Sequence, residues 1–210
     1  MTLIDELREA IVDGQVKVAV ARVDQGLADG VAAGTLLREG LIAGMAQVGK
    51  LYEEGEVFVP EMLVAARAMT AALGVLKPHL IEQGVASAGT VAIGTVQGDL
   101  HDIGKNLVAM MLEGSGYEIM DLGVDVPAAK FVQAIRDGAN VVAMSALLTT
   151  TMTNMQGTIA AIEEAGLRQQ ARIIIGGAPI TKTYADEIGA DGYAVDASGA
   201  VRLVRDVLVA

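Results

Sequence analysis

Apolar positions in the first 84 residues recur at helical spacing, with no strand-like alternation. Leu3, Ile4, Leu7, Ile11 and Val12 fall on one face of a first helix. A second, about Val16 to Leu27, stops at Asp29-Gly30, where glycine supplies a natural end. The third runs from Thr35 to Tyr52, with Leu36, Leu37, Leu41, Ile42, Met45 and Val48 turned inward. After the loop EEGEVFVP, Pro60 suits the first turn of a fourth helix, where its missing N–H is not needed. Four helices joined by short turns predict a four-helix bundle.

The breaker-rich linker GVASAGT, Gly84 to Thr90, marks a change of pattern. Short apolar runs at Thr90–Thr95, Tyr117–Leu122, Val141–Ala146, Arg172–Gly176 and, more weakly, Gly192–Val195 each precede a stretch with helical spacing. Alternating strands and helices predict a parallel sheet covered on both faces, because right-handed crossovers place the helices there. The expected architecture is therefore α/β: a helical cap, residues 1–86, then a flavodoxin-like (Rossmann-like) five-stranded domain, residues 87–210, with strand order 2-1-3-4-5. The linker near Gly84–Gly89 is where hinge motion is expected.

In such sheets ligands bind beyond the carboxyl ends of the strands, at the switch point between strands 1 and 3. The loop there after strand 1 is GDLHDIGKN, Gly98 to Asn106, and the loop after strand 3 is SALLTTTMT, Ser145 to Thr153. Topology thus brings a histidine flanked by carboxylates beside a row of hydroxyls. Asp99, two residues from His101, is close enough to accept from one ring nitrogen and leave the other as a ligand. Without that partner, His101 would read as a solvated residue, Asp102 or Asn106 as helix-end residues, and Lys105 as a solvated charge.

Composition narrows the chemistry. The 210 residues include no cysteine, which excludes disulfides, thiolate nucleophiles and thiolate metal sites. Only one other histidine exists, His79, in the helical half, whereas zinc sites normally take three or four such ligands. One histidine suits a metal that brings its own equatorial ligands, as a tetrapyrrole does. Gly94, Gly98, Gly104 and the pair Gly176-Gly177 would let backbone approach an embedded group closely. A formal net charge of −11 opposes general affinity for nucleic acid. No run approaches about 18 consecutive apolar residues and the N-terminus is an acidic amphipathic helix, so no membrane association and a cytoplasmic location are expected. Aromatics are scarce, at 3%, and ten methionines fill a core of small side chains.

The D-x-H-x-x-G of Asp99, His101 and Gly104, the S-x-L of Ser145 and Leu147, and Gly176-Gly177 together resemble the cobalamin-binding signature. The helical half, with GLIAGMAQVGKLYEEGEVFVPEML, is similar to the cap of cobalamin-dependent methionine synthase and of the corrinoid proteins of methanol, methylamine and O-demethylase systems. The resemblance spans essentially the whole chain, and no stretch is expected to form a catalytic barrel. It implies a corrinoid methyl carrier, not catalytic on its own, that shuttles a methyl group on cobalt between a substrate-specific methyltransferase and a second one, its cofactor cycling between cob(I)alamin and methylcob(III)alamin. The implied partners are a donor-specific methyltransferase, an acceptor methyltransferase using tetrahydrofolate or a thiol, and a reductive activator.

The same resemblance implies roles residue by residue. His101 would be the lower axial cobalt ligand in a base-off, histidine-on cofactor, and Asp99 would orient it. Gly98, Asp102 and Gly104 would flank the corrin. Ser145 and Thr149 would contact the nucleotide tail, Leu147 would line its channel, and Gly176, Gly177 and Ala197 would lie along it. Thr151 stands where the synthase has a serine linked to the Asp-His pair. Tyr52, where the synthase has a phenylalanine, and Val59 would cover the methyl face; as plain bundle core they would do neither. A cobalamin sensor is the alternative reading, although such sensors carry an output module for which the chain shows no segment. A phospho-receiver needs an acceptor aspartate where strand 3 ends in Ser145, and a mutase subunit would not carry a helical cap.

Overall fold

The computed structural model describes residues 1–85 and 87–209. It divides into two compact units, Met1–Ala88 with Glu113–Gly116, and Gly89–Leu112 with the chain from Tyr117 on. The boundary and hinge expected around 84–89 include Ala86, which lies outside the described residues.

In the helical unit, α1 (Leu3–Val12) opens on a capping box. The Thr2 hydroxyl accepts from the Asp5 N–H at 3.2 Å, and the Asp5 carboxylate accepts from the Thr2 N–H at 3.0 Å. After α2 (Val16–Ala28) comes a third helix with an unforeseen interior. It is built from α3 (Ala33–Thr35), a π-helical stretch Leu36–Ile42, and α4 (Ala43–Glu53). Packing against α1 accounts for the glycines there. A Cβ at Gly40 would lie 2.5 Å from Leu7 Cδ2, and one at Gly44 2.8 Å from Ile11 Cβ. Arg8 of α1 donates from Nε and Nη2 to the Glu39 carbonyl of the π stretch, at 3.2 and 2.9 Å.

The fourth helix, α5 (Val59–Glu82), carries Pro60 in its first turn, as expected, and Pro78 in its interior. By length and composition alone α5 would pass for a membrane-crossing helix. Its Met62, Ala65, Ala66, Ala68, Met69, Ala72 and Leu76 are all fully buried, and the small side chains among them allow close helix contact.

In the second unit, β1 (Thr90–Val96), β2 (Glu118–Val126), β3 (Val141–Ser145), β4 (Arg172–Gly176) and β5 (Gly192–Ala194) form one parallel sheet, β2-β1-β3-β4-β5. The strand order anticipated from the alternation is borne out. The intervening helices are α6 (Ile103–Glu113), α7 (Ala128–Arg136), α8 (Thr149–Glu164), α9 (Lys182–Ile188) and α10 (Ala197–Val209). Period-two alternation sends Val142, Met144, Ile173 and Ile175 into a core with α7, α8 and α9. Val91, Ile93, Val141, Ala143 and Ile174 face α6 and α10.

β2 runs four residues beyond the expected Leu122, through two register irregularities opposite Gly94. Gly94 is closely packed, since a Cβ would lie 3.0 Å from Phe131 Cζ and 3.1 Å from Val126 Cγ2, close enough that these neighbours would have to shift. The extension passes through left-handed backbone at Gly123 (φ 88°) and Asp125 (φ 52°) before pairing Val126 with Val96. It brings the end of β2 alongside the loop that follows β1.

Candidate functional site

The chain leaves β1 at Val96 and turns, with Gly98 in left-handed backbone (φ 81°), before α6 begins at Ile103. Asp99 is fully buried in this turn. Its Oδ2 accepts from the Leu147 N–H at 2.8 Å, the Leu148 N–H at 3.2 Å and the Thr151 hydroxyl at 2.7 Å. Leu148 is the N-cap of α8 and offers no capping side chain. Asp99 therefore caps α8 from another loop, where unpaired N–H groups and the helix dipole both favour an anion. Thr151 Oγ1 also lies 3.0 Å from the Leu148 carbonyl, but its one proton is better used on the buried carboxylate.

The other oxygen of Asp99 holds His101. Oδ1 lies 2.7 Å from ring Nδ1 and 3.1 Å from the His101 backbone nitrogen. Burial pushes the Asp99 carboxyl up, but the hydrogen bonds from Thr151, Leu147 and His101 outweigh it and hold the group well below the usual carboxylate range. An ionised carboxylate only accepts, so a proton sits on Nδ1, and in the neutral imidazole Nε2 then carries the lone pair. The His101 side chain is half exposed, at 51%, and no hydrogen bond to Nε2 forms among the described residues. The His101 carbonyl accepts from the hydroxyl of fully buried Thr95 at 2.8 Å.

β2 secures the same loop from the opposite side. The Gly98 N–H donates to Asp125 Oδ1 at 2.6 Å, and the Asp125 N–H donates to the Asp99 carbonyl at 3.0 Å. Lys105, which the bland reading of this loop would make a solvated charge, is buried. Its ammonium donates to both oxygens of Asp121 at 2.7 and 2.8 Å and to Asn106 Oδ1 at 2.7 Å. Asn106 in turn donates from Nδ2 to Asp102 at 3.1 Å. A buried ammonium needs such partners, and Asp121 supplies the countercharge. Burial pushes the Asp121 carboxyl up, yet the bonds from Lys105 and the Gly123 N–H leave it below its ordinary value.

The structure brings Gly98, Asp99, His101, Asp102, Leu147 and Thr151 together around one turn. Gly104 follows in α6, exposed, with nothing within 4 Å of where its Cβ would be. Thr149 is exposed in the first turn of α8. Ser145 ends β3 half-buried and pairs with Gly176. Gly177 (φ 131°) is packed so tightly that a Cβ would land on the Ala146 carbonyl, so its first duty is to the fold. Ala197 is buried at the start of α10, which commits its methyl to packing and leaves only backbone for a ligand. Tyr52 and Val59 belong to the helical unit, on either side of residues 54–58; Tyr52 is half-buried, and Val59 is exposed beside exposed Phe58.

Thr95, Lys105, Asp121 and Asp125 are site residues that the sequence does not announce. Around His101, Leu100, Ile103, Leu147 and Leu148 stand exposed on the loops at the sheet's carboxyl edge. Apolar side chains exposed in one place are uncommon unless something covers them. A half-exposed imidazole with a free lone pair, an apolar surround and an open glycine fit a large flat ring carrying a metal with one axial position to fill. Among the described residues no group of three or more His, Cys, Asp or Glu side chains could hold a metal ion on its own.

Comparison with known proteins gives the chain a family. A family model described as B12 binding domain matches residues 89–202, and a second with the same description matches residues 3–77. A corrinoid protein of Desulfitobacterium hafniense is 38% identical, over 99% of this chain and 98% of its own length. The trimethylamine corrinoid protein of Methanosarcina barkeri is 42% identical, over 98% of this chain and 96% of its own. The crystal structure of the methanol:cobalamin methyltransferase complex of Methanosarcina barkeri contains a chain that superposes with a TM-score of 0.86 at 28% identity, covering 99% of this chain and 80% of that one. By its sequence over nearly its full length and by the fold that carries the His101 turn, the chain belongs to the B12-binding corrinoid proteins.

Proposed function

We propose that this chain is a corrinoid methyl carrier, in which His101 Nε2 is the lower axial ligand of cobalamin held base-off and histidine-on. The observation that carries the proposal is the line Thr151–Asp99–His101, with contacts of 2.7 and 2.7 Å, which ends on a free, half-exposed nitrogen. Bound cobalamin supplies the chemistry, since its cobalt can take up a methyl group as a nucleophile and release it to another.

The protein's part is to position and tune. Asp99 keeps the proton on Nδ1 and so keeps Nε2 basic, while the cap on α8 holds Asp99 ionised. Protonating or withdrawing the imidazole removes the lower ligand, so control of His101 is control of the cobalt's preferred oxidation state. We assign Ser145, Thr149, Leu147, Gly176, Gly177 and the Ala197 backbone to contact with the nucleotide tail. Gly98, Asp102 and Gly104 border the ring. Tyr52 and Val59 are assigned to cover the methyl face.

The relatives named for trimethylamine and methanol systems support methyltransferase partners. We assign a donor-specific methyltransferase, a tetrahydrofolate- or thiol-methylating acceptor enzyme and a reductive activator, all working in the cytoplasm. The test loads the protein with reduced cobalamin and incubates it with a candidate methyltransferase and a donor carrying a labelled methyl group. Label should travel with the corrinoid protein and pass onward when the acceptor enzyme is added. Wild-type protein that binds cobalamin tightly but neither takes nor gives label with any partner would overturn the carrier reading and favour a sensor.

A further inference from the structure

Asp125 is the one non-glycine residue with positive φ among the described residues, at 52°. A side chain in that region is disfavoured, least so for Asp and Asn, and where it persists something nearby over-determines it. What holds it here is the loop carrying the candidate ligand. Its carboxylate accepts from the Gly98 N–H at 2.6 Å, and its own N–H donates to the Asp99 carbonyl at 3.0 Å. The two peptide groups flanking the Gly98–Asp99 pair are thus bound to one residue of a neighbouring strand. The turn's backbone is further fastened by the Asp99 N–H, which donates to the Val96 carbonyl at 3.1 Å, and by Asn154 Nδ2, which donates to the Gln97 carbonyl at 2.7 Å.

Asp125 is exposed, so core packing gives no reason for its conformation. Its immediate neighbour Val126 is buried and ends the pairing of β2 with β1. The strand therefore spends its last turn before Val126 in reaching across to the turn after β1. Fixing both peptides of that turn fixes the direction of the Asp99 Cα–Cβ bond, and with it the carboxylate that bonds His101.

We propose that Asp125 is a positioning residue that acts through Asp99 to set how firmly His101 is presented to cobalt, an inference that rests on the reading of His101 as the axial ligand. Two variants separate this from a merely structural role. Asp125→Gly retains the left-handed backbone and removes the acceptor, whereas Asp125→Asn retains both an acceptor oxygen and tolerance of positive φ.

Each variant and the wild type are loaded with cobalamin, reduced to the cobalt(II) state and examined by electron paramagnetic resonance for histidine nitrogen coupling, using ¹⁵N-histidine protein. Hydrogen exchange of the Gly98 amide and the thermal midpoint are measured on the cofactor-free proteins. In Asp125→Gly the ratio of histidine-on to histidine-off cobalt should fall roughly tenfold, the scale of one charge-assisted hydrogen bond. Gly98 exchange should quicken by about the same factor, with the thermal midpoint little changed, and Asp125→Asn should recover most of both losses. An Asp125→Gly protein with the wild-type histidine-on ratio overturns the proposal, whatever its thermal midpoint. A wild type with no histidine coupling would instead overturn the ligand assignment on which it rests.

Discussion

Replacing Asp99 by asparagine changes one oxygen to an NH₂ and leaves the volume almost untouched, so its effects isolate the role of the charge. The amide oxygen can serve the α8 side, keeping the Leu147 N–H, the Leu148 N–H and the Thr151 hydroxyl. The NH₂ then meets two donors of His101, the Nδ1–H at 2.7 Å and the backbone N–H at 3.1 Å. Donor faces donor. The ring can escape by moving its proton to Nε2 and accepting at Nδ1, but the protonated Nε2 then has no lone pair for a metal. The backbone N–H has no such escape.

Losing an acceptor for that part-buried N–H costs about 1 kcal/mol or more, and turning the remaining charge-assisted bonds neutral removes further stability. The cofactor-free Asp99→Asn protein should thus be less stable than wild type by roughly 2–5 kcal/mol in urea unfolding at pH 7. Its cobalamin complex in the cobalt(II) state should show at least roughly tenfold less histidine-coupled signal, since ligation now requires moving a proton. An Asp99→Asn protein within about 0.5 kcal/mol of wild type, with the histidine signal intact, would refute the argument from tautomer and cap.

Thr151→Val removes the 2.7 Å bond to Asp99 with little change of shape and should cost about 1–3 kcal/mol, while Thr151→Ser should stay near wild type, both read by urea unfolding. The Asp121 carboxyl is held below its ordinary value by Lys105, so its contribution is complete above the unfolded value of about 3.9 and is lost as pH falls through the lower folded value. Acid titration of stability should show that limb in the wild type and a flatter one in Asp121→Asn, by about 1 kcal/mol because Asp121 is half exposed. Gly177→Ala, which would place a methyl on the Ala146 carbonyl at φ 131°, should destabilise the cofactor-free protein by about 3 kcal/mol or prevent folding. Gly104→Ala, with open space around it, should leave the thermal midpoint unchanged or higher, yet weaken cobalamin binding in a spectral titration.

What the sequence made legible is what short-range chemistry determines. The four helical stretches follow from apolar spacing, and the five strands from runs such as Val141–Met144 and Ile173–Ile175, which are buried on both faces. The Asp99–His101 pair could be read because its members stand two positions apart. Contacts between distant segments were not legible. The π-helical stretch depends on Gly40 and Gly44 meeting α1, and nothing in LLREGLI shows the partner. The end of β2 was read short because Gly123 and Asp125 interrupt its apolar run, and the interruption is what delivers Asp125 to Gly98. Lys105 looked like a surface charge because its countercharge, Asp121, lies sixteen residues on. Topology gave Thr151 only as one of a row of hydroxyls and resemblance to a family singled it out, because its bond to Asp99 spans fifty-two residues.

The central claim is that His101 Nε2 is the lower ligand of the bound cobalt, and isotope substitution tests it directly. Protein grown with ¹⁵N-histidine, in a His79→Gln background so that His101 alone is labelled, is loaded with cobalamin of natural isotopic abundance and reduced to cobalt(II). If the lower ligand is His101, each cobalt hyperfine line, split into three by ¹⁴N in unlabelled protein, becomes a doublet on labelling. If the splitting stays threefold, the nitrogen on cobalt belongs to the cofactor's own base, and the account is wrong.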